Sequence, residues 1–444
     1  MAVKRGKILL AALLIWSLSM GGAWAEKLLC VATENCAALL DADGREIVAP
    51  GRYDDVFCVV EGERYALGIQ GDDGMQYALC DASGQLLTDP VYSMFQASGQ
   101  AILFRRNGLY GAMDLDGAQI LPPEYTQLVT AAQGYFFATT SDAFDDDADE
   151  ILLVSADGDS RFTGISSAVR LTPVRDDRMP FKDPREELYG YLNSMGDVAI
   201  EAKFETAGEF ENGLARASVG GKLGVIDIDG SWLIQPEYDY LEIGEGTIIG
   251  LIGRETFVAF DAADCTERFR LEGSGLEAAL VGRYPVLIEG EVMRVYTPEG
   301  DELLETSADA VLQPGADGQL ILSDGEWGAS CASIVSPEGV RSERTDRHLL
   351  LLDSDRYAFI CMNVATYFSE VLDEIRYSCD YDSLRFGMMN AAGREILPAE
   401  YLEIRALGAR RYLTVAEDGL RVVDDEGNVI WEVLREAEDL QPAS

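Results

Sequence analysis

The chain has 444 residues, of which 48% are hydrophobic, and its 78 acidic and 35 basic side chains give a formal net charge of −43 at pH 7. This length allows a large core or two domains. The charge opposes binding to DNA, RNA or an anionic membrane surface, and it favours a soluble acidic surface, cation binding or a basic partner.

Residues 1–25 have the pattern of a secretory signal peptide. Three basic residues precede an apolar run at residues 8–18, and residues 23–25 form an A-x-A cleavage site. The apolar run is too short to cross a bilayer, and no later stretch has the length of a membrane helix. The sequence therefore predicts a secreted or cell-envelope protein without a membrane span.

A motif recurs through residues 26–444: a hydrophobic-Asp pair, a turn glycine, a second β-rich run, and a proline followed by an aromatic residue. Ten turn glycines mark it, at Gly44, Gly84, Gly117, Gly158, Gly196, Gly230, Gly300, Gly339, Gly393 and Gly427. The wide gap between Gly230 and Gly300 contains residues 261–264 at its midpoint, which makes about eleven units. A period of this length is typical of repeat folds.

The best-preserved unit shows how each repeat folds. Residues 225–227 begin a strand, Gly230 allows a tight turn, and residues 232–234 begin the returning strand. Pro236 ends regular pairing because it has no amide hydrogen, and Tyr238 supplies a large ring to bury. We predict three antiparallel strands in each unit, or four, and residues 366–375 are the best helix candidate.

Such units must stack to bury their apolar faces, either as a β-propeller or as an open array. Propellers usually have four to eight blades, so eleven units predict one large ring, two rings or an open array. Residues 173–187 are charged and contain three prolines. We interpret this segment as a surface loop or as a division between two rings.

The motif resembles the bacterial WG repeat family, also called KWG repeats. The family's Trp-Gly pair is Tyr110-Gly111, Tyr189-Gly190, Leu223-Gly224, Trp327-Gly328 and Phe386-Gly387. The family's turn glycine is represented here by Gly117, Gly196, Gly230 and Gly393. Its proline and following aromatic residue are represented by three pairs: Pro123 with Tyr125, Pro236 with Tyr238, and Pro398 with Tyr401. The resemblance implies an exported β-repeat module that binds a partner, and it brings no catalytic residues.

Two kinds of acidic pattern raise the question of calcium, which prefers oxygen ligands. Paired aspartates at the turns, such as Asp227 and Asp229, repeat with the fold and are interpreted as turn formers. Asp145, Asp147 and Asp149 lie outside the motif with the first spacings of a calcium loop, but later positions depart from an EF-hand. They form the one candidate metal site, and a solvated loop is the alternative.

Other chemistry has little support. His348 is the only histidine and is interpreted as a loop residue, and the sequence contains no GxSxG motif, CxxC pair or phosphate-binding loop. Eight cysteines allow local disulfides, Cys58 with Cys80 and Cys361 with Cys379, or free buried thiols. We therefore predict no catalytic residues and no cofactor.

The sequence thus predicts an exported, non-catalytic scaffold for a protein or glycan partner. One alternative is a glycan hydrolase on a propeller, since two carboxylates suffice for that reaction. Another is a calcium-stabilised cell-envelope protein. Because the repeated residues belong to the fold, a specific site is expected where the motif is broken, at residues 142–150, 173–187 and 340–383.

Overall fold

Within its described residues, this computed structural model contains forty strands and one short 3-10 helix. It describes residues 28–434 except 34–35, 133, 141–148, 168, 325–330, 343–346 and 370–373, and their side chains except at 149, 324, 331, 362–369, 374–379 and 381. The strands form eleven antiparallel sheets that follow one another along the chain, and we number these sheets as blades 1 to 11.

Blades 1 to 4 contain β1 Leu29–Thr33, β2 Cys36–Leu40, β3 Glu46–Val48; β4 Asp55–Val60, β5 Arg64–Gly71, β6 Gly74–Asp81; β7 Met94–Ser98, β8 Ala101–Arg106, β9 Leu109–Met113, β10 Gln119–Tyr125; β11 Gln127–Ala132, β12 Tyr135–Thr139, β13 Asp149–Ser155 and β14 Ser160–Ser167. Blades 5 to 8 contain β15 Met179–Lys182, β16 Tyr189–Leu192, β17 Val198–Phe204; β18 Thr206–Ala207, β19 Ala215–Val219, β20 Lys222–Ile226, β21 Trp232–Tyr238; β22 Tyr240–Ile243, β23 Thr247–Ile252, β24 Thr256–Asp261, β25 Glu267–Glu272; β26 Glu277–Val281, β27 Tyr284–Glu289, β28 Val292–Tyr296 and β29 Glu302–Ser307. Blades 9 to 11 contain β30 Val311–Pro314, the 3-10 helix Ala316–Gly318, β31 Leu320–Asp324, β32 Cys331–Val335; β33 His348–Asp353, β34 Arg356–Ser369, β35 Glu374–Asn390, β36 Glu395–Tyr401; β37 Glu403–Gly408, β38 Arg411–Ala416, β39 Gly419–Val423 and β40 Val429–Leu434.

The turn that follows the third strand of a blade is built by one polar side chain and one glycine. In blade 6, Asp227 Oδ1 accepts hydrogen bonds from the backbone N–H groups of Asp229 at 3.0 Å and Ser231 at 2.8 Å. Gly230 has a φ of 78°, a conformation that a Cβ atom disfavours. The paired aspartates therefore have a structural role at these turns.

The same turn recurs in all eleven blades of the described chain, although in blades 1 and 5 it follows the second of three strands. Its first residue is Asp41, Asp81, Asp114, Ser155, Asn193, Asp227, Asp261, Thr297, Ser336, Asn390 or Asp424. The ten turn glycines all have positive φ, including Gly117, Gly196, Gly230 and Gly393. In blade 7 the residue with positive φ is Cys265, at 59°.

The glycine of the Trp-Gly-like pair is required by a close backbone approach. Tyr238 pairs with Leu223, and Ile234 pairs with Val225, so four residues of β21 lie opposite two of β20. This bulge contains Pro236, and β21 resumes pairing at Tyr238. A Cβ atom on Gly224 would lie 2.5 Å from the Ile234 carbonyl oxygen.

Blades 3, 5 and 10 repeat this arrangement. The glycines approached by a carbonyl of the following strand are Gly111, Gly190 and Gly387. Pro123 and Pro398 lie within the bulged fourth strands, and Tyr125 and Tyr401 pair with Tyr110 and Phe386. Trp327 and Gly328 lie outside the described residues.

Neighbouring blades pack through opposite faces, because successive side chains of a strand alternate between the faces of a sheet. On β2, Ala38 and Leu40 pack towards blade 11, whereas Ala37 and Leu39 pack towards blade 2. Eleven such apolar clusters of described residues each join two consecutive blades. The core of the protein is thus a circle of interfaces.

The contacts between blades 11 and 1 close the ring. Leu29 and Val31 pack in one cluster with Leu413 and Val422, and Trp431 Nε1 donates to Glu46 Oε1 at 2.9 Å. The predicted all-β, propeller-like repeat fold is confirmed, with eleven blades in one closed ring. Seven of the described blades have four strands and four have three.

Six arginines reinforce the interfaces between blades by donating to a backbone carbonyl in this recurring turn of the next blade. We call them the interface arginines: Arg64 to Leu115, Arg161 to Met195, Arg178 to Ile228, Arg268 to Pro298, Arg356 to Asp425 and Arg411 to Ala42. The bond from Arg411 Nε to the Ala42 carbonyl measures 2.9 Å and joins blade 11 to blade 1. The conformation of the turn in blade 1 therefore affects the contact that closes the ring.

Two expectations about individual segments are corrected. Residues 366–369 continue β34 and residues 374–375 begin β35, so the helix candidate is wrong. Residues 173–187 contain β15, whose Met179 and Phe181 are buried with side chains of blade 4. This segment therefore belongs to blade 5 of a continuous ring and does not divide two rings.

The suggested local disulfides do not form. Cys58 and Cys80 both lie opposite Tyr65, on the two strands flanking it, so their Cα atoms are about 9.6 Å apart, beyond disulfide reach. Cys361 pairs with Arg385 and Cys379 with Val364, an offset of several residues along the hairpin. Among the described cysteines, the thiols of Cys30, Cys36, Cys80, Cys265 and Cys361 are free.

Because several tyrosines are buried, we predict that the protein loses stability in alkaline solution. Burial raises the pKa of Tyr65 from 10.0 to about 12, and burial with the hydrogen bond to Asp55 does the same for Tyr77. From pH 10 upwards the unfolded chain loses these protons while the folded chain retains them, so stability falls between pH 10 and 12. Melting temperatures measured across this range, with tyrosinate absorbance, would show the decline, and Tyr77→Phe should make it shallower. A constant melting temperature would contradict the prediction.

Candidate ligand-binding site

A cavity of about 530 Å³ lies on one face of the ring, where blades 7, 8 and 9 meet. Its walls are the turns between the first and second strands of these blades, together with the third-to-fourth-strand turn of blade 8. The turns are tight because Gly246, Gly282 and Gly318 adopt positive φ. The volume falls within the range of small-molecule sites, roughly 300–1,000 Å³.

Four charged side chains at the turn tips dominate the polar lining. Glu245 comes from blade 7, Arg283 and Glu299 from blade 8, and Asp317 from blade 9. All four residues are exposed. The site therefore offers one exposed cation and three exposed carboxylates to a ligand, and Arg268 adds a second, less exposed cation to the lining.

Arg283 is held at the centre of this group by its neighbour Tyr284. Its Nη2 donates to the Tyr284 hydroxyl at 3.3 Å, and that hydroxyl donates to the Gly318 carbonyl at 2.5 Å. The bond to Tyr284, followed by the charges of Glu299 and Glu245, raises the pKa of Arg283. Arg283 therefore stays cationic and links the turns of blades 8 and 9.

Arg268 has a structural role in the same cavity. Its Nη2 donates to Asp261 Oδ2 at 2.7 Å, and its Nη1 donates to the Pro298 carbonyl at 3.4 Å. These bonds fix the turn that carries Glu299. Arg268 is thus one of the interface arginines, and Arg283 is the more accessible cation of the site.

Thr247 contributes a buried polar atom to the lining. The residue is completely buried, and its Oγ1 has no hydrogen-bond partner in the described structure. A buried hydroxyl without a partner destabilises a fold by about 1–3 kcal/mol. Its position in the cavity wall distinguishes it from an ordinary packing defect.

The sequence did not predict this site. The missed signal is an Arg-Tyr dipeptide that begins the second strand in blades 2, 8, 10 and 11: Arg64-Tyr65, Arg283-Tyr284, Arg356-Tyr357 and Arg411-Tyr412. In three of these blades the arginine is an interface arginine. In blade 8 it points instead to Tyr284 and the cavity.

The predicted sites lie elsewhere. Asp145 and Asp147 are outside the described residues, and Asp149 begins β13 with its side chain not described. Residues 340–383 contain β34 and the first part of β35, and the pairing of these strands extends to Ser369 and Glu374. His348 begins β33 and is half-buried, so its interpretation as a loop residue is wrong.

Within the described residues there is neither a cluster of metal ligands nor a helix fit to span a membrane. No group of three or more histidine, cysteine, aspartate or glutamate residues there could hold a metal ion. None of the helices in this part of the chain has the length and apolar character that crossing a membrane requires.

The fold and its cavity define an eleven-bladed β-propeller with a ligand-sized site on one face. Residues 189–222 and 224–246 match the family model described as WG containing repeat, which supports a WG-repeat protein. The matched region contains Gly190, Gly224 and the bulge around Pro236. No curated protein matches the sequence.

Several solved structures are similar in fold at low sequence identity. The crystal structure of a eukaryotic initiation factor has 9% identity and a TM-score of 0.45, covering 84% of this chain and 95% of that one. BamB from Moraxella catarrhalis has 11% identity and a TM-score of 0.31, covering 60% and 90%. Apo AztD from Citrobacter koseri has 12% identity and a TM-score of 0.30, covering 72% and 94%.

Proposed function

We propose that the protein is an exported, non-catalytic scaffold that binds a protein or glycan partner at the bacterial cell envelope or outside the cell. The observation that carries this proposal is the cavity between blades 7 and 9, where exposed charged side chains from three blades line one concave site. Export rests on the signal-peptide pattern of residues 1–25.

Binding without turnover tests this proposal. Protein lacking residues 1–25 is incubated with panels of glycans and peptides, and complexes and products are both measured. We expect at least one saturable complex and unchanged ligand on recovery. Turnover of any bound ligand would contradict the scaffold function.

A glycan hydrolase remains the second candidate, because Glu245, Glu299 and Asp317 line one cavity. Glycosidases need two carboxylates on opposite sides of the scissile bond, one acting as acid and the other as base or nucleophile. Replacing each acid by its amide would then abolish turnover. The calcium-stabilised alternative rests on Asp145, Asp147 and Asp149, and a melting temperature unaffected by calcium or chelator would end it.

A further inference from the structure

The cavity disfavours a ligand of either charge. An anion that approaches Arg283 meets the carboxylates of Glu245, Glu299 and Asp317 around it. A cation attracted by these carboxylates meets the Arg283 guanidinium, which the raised pKa keeps charged. Like charges within a few ångströms repel each other, so this mixed lining, which also includes Arg268, gives neither kind of ion a uniformly attractive site.

The same lining suits hydroxyl groups. A hydroxyl both donates and accepts hydrogen bonds, a carboxylate accepts them, and a guanidinium donates them. Adjacent hydroxyls of one ligand can therefore bond to Glu299 and to Arg283 without carrying any charge. Hydrogen bonds to charged groups are also stronger than those between neutral groups.

Thr247 is an independent observation pointing to such a ligand. Its hydroxyl is buried in the cavity wall and has no partner, although buried polar groups nearly always have one. A ligand hydroxyl that reached this buried atom from the cavity would supply both a donor and an acceptor. Because Thr247 belongs to β23, which lies within a paired sheet, the hydroxyl is also rigidly placed.

Apolar surface completes the site. Val281, Pro298 and Pro314 line the cavity beside the charged tips. The carbon-bound hydrogens of a sugar ring form an apolar face that can pack on such residues, while its hydroxyls project towards the polar groups. Polar and apolar surfaces are thus both matched by a single class of molecule.

We propose that the cavity binds a neutral, polyhydroxylated ligand, a glycan built of uncharged sugar units. This inference rests on the proposed function as a binding scaffold, and it assigns the partner class and the site. Arg283, Glu299 and Thr247 supply the polar contacts.

Calorimetric titration of the protein with three probes tests the inference: a neutral hexose oligosaccharide, a uronic-acid oligosaccharide of the same length, and a lysine-rich peptide. The variants are Thr247→Val and Arg283→Ala. Thr130→Val is the first matched control, because Thr130 Oγ1 is also buried and unpartnered but lies in blade 4. Arg52→Ala is the second, because Arg52 stacks on Tyr53 much as Arg283 stacks on Tyr284.

We expect the neutral oligosaccharide to bind, and each cavity variant to weaken binding by roughly fivefold to tenfold. The two controls should leave the dissociation constant unchanged. Thr247→Val should also keep or raise the melting temperature, since it removes an unpaired buried hydroxyl, so that lost affinity cannot be attributed to misfolding.

Other results would overturn the inference. Equal binding by all variants would exclude this cavity, and tighter binding of the uronate or the peptide would exclude a neutral ligand. In both cases the scaffold function would stand. Failure of the neutral oligosaccharide to bind would also refute the inference, whereas its cleavage would refute the scaffold function itself.

Discussion

Replacing Gly224 by alanine is expected to lower the free energy of unfolding by about 3 kcal/mol, the upper part of the range for overpacked sites. The new Cβ atom would lie 2.5 Å from the Ile234 carbonyl oxygen and 2.8 Å from the Trp232 ring. The ring can move, but the carbonyl belongs to the bulged backbone of β21. Urea unfolding followed by circular dichroism measures the change.

Gly71→Ala is the matched control for this substitution. Gly71 lies outside the positive-φ region, and a Cβ atom there would meet nothing closer than 3.6 Å. This substitution should therefore change the free energy of unfolding of the protein by less than about 1 kcal/mol. Equal unfolding midpoints for the two variants would show that the close approach at Gly224 has no energetic consequence.

Tyr238→Ala is expected to cost about 4 kcal/mol, as for other large aromatic residues removed from a core. Tyr238 is 5% exposed and fills the interface between blades 6 and 7. Its ring lies directly over Gly250, where a Cβ atom would come within 2.4 Å of the Tyr238 Cδ1 atom. Removing the ring would leave a cavity over Gly250 and beside Phe260.

Tyr238→Phe provides the comparison, because it keeps the ring and removes only the hydroxyl. We expect its free energy of unfolding to lie within about 1 kcal/mol of that of the parent protein. Thermal and urea unfolding of both variants separate ring packing from hydroxyl effects. A stable alanine variant would mean that the interface collapses around the missing ring and that the repeated tyrosine is dispensable.

The sequence predicted the local structure of a unit well because that structure depends on few residues. Gly230 and Asp227 determine their turn by conformation and by hydrogen bonds over four residues. Pro236 and Tyr238 likewise define the bulged strand. Such short-range rules are readable wherever the motif is intact.

Closure and the cavity could not be predicted in this way. Closure depends on contacts such as that between Trp431 and Glu46, which join distant parts of the chain. The cavity depends on Arg283, which has the same dipeptide context as Arg356 but a different partner. The strands in residues 366–375 were missed because a hairpin extension carries no turn motif of its own.

The interface between blades 11 and 1 has a consequence for how the protein is made. Leu29 and Val31 leave the ribosome almost four hundred residues before their partners Leu413 and Val422. Throughout synthesis the face of blade 1 that packs against blade 11 has no native partner. This exposed apolar face is a place where aggregation can begin. Because contacts between distant residues are slow to form, joining these two blades should be the last step of folding. A chaperone that binds residues 29–40 would protect the growing chain until that step.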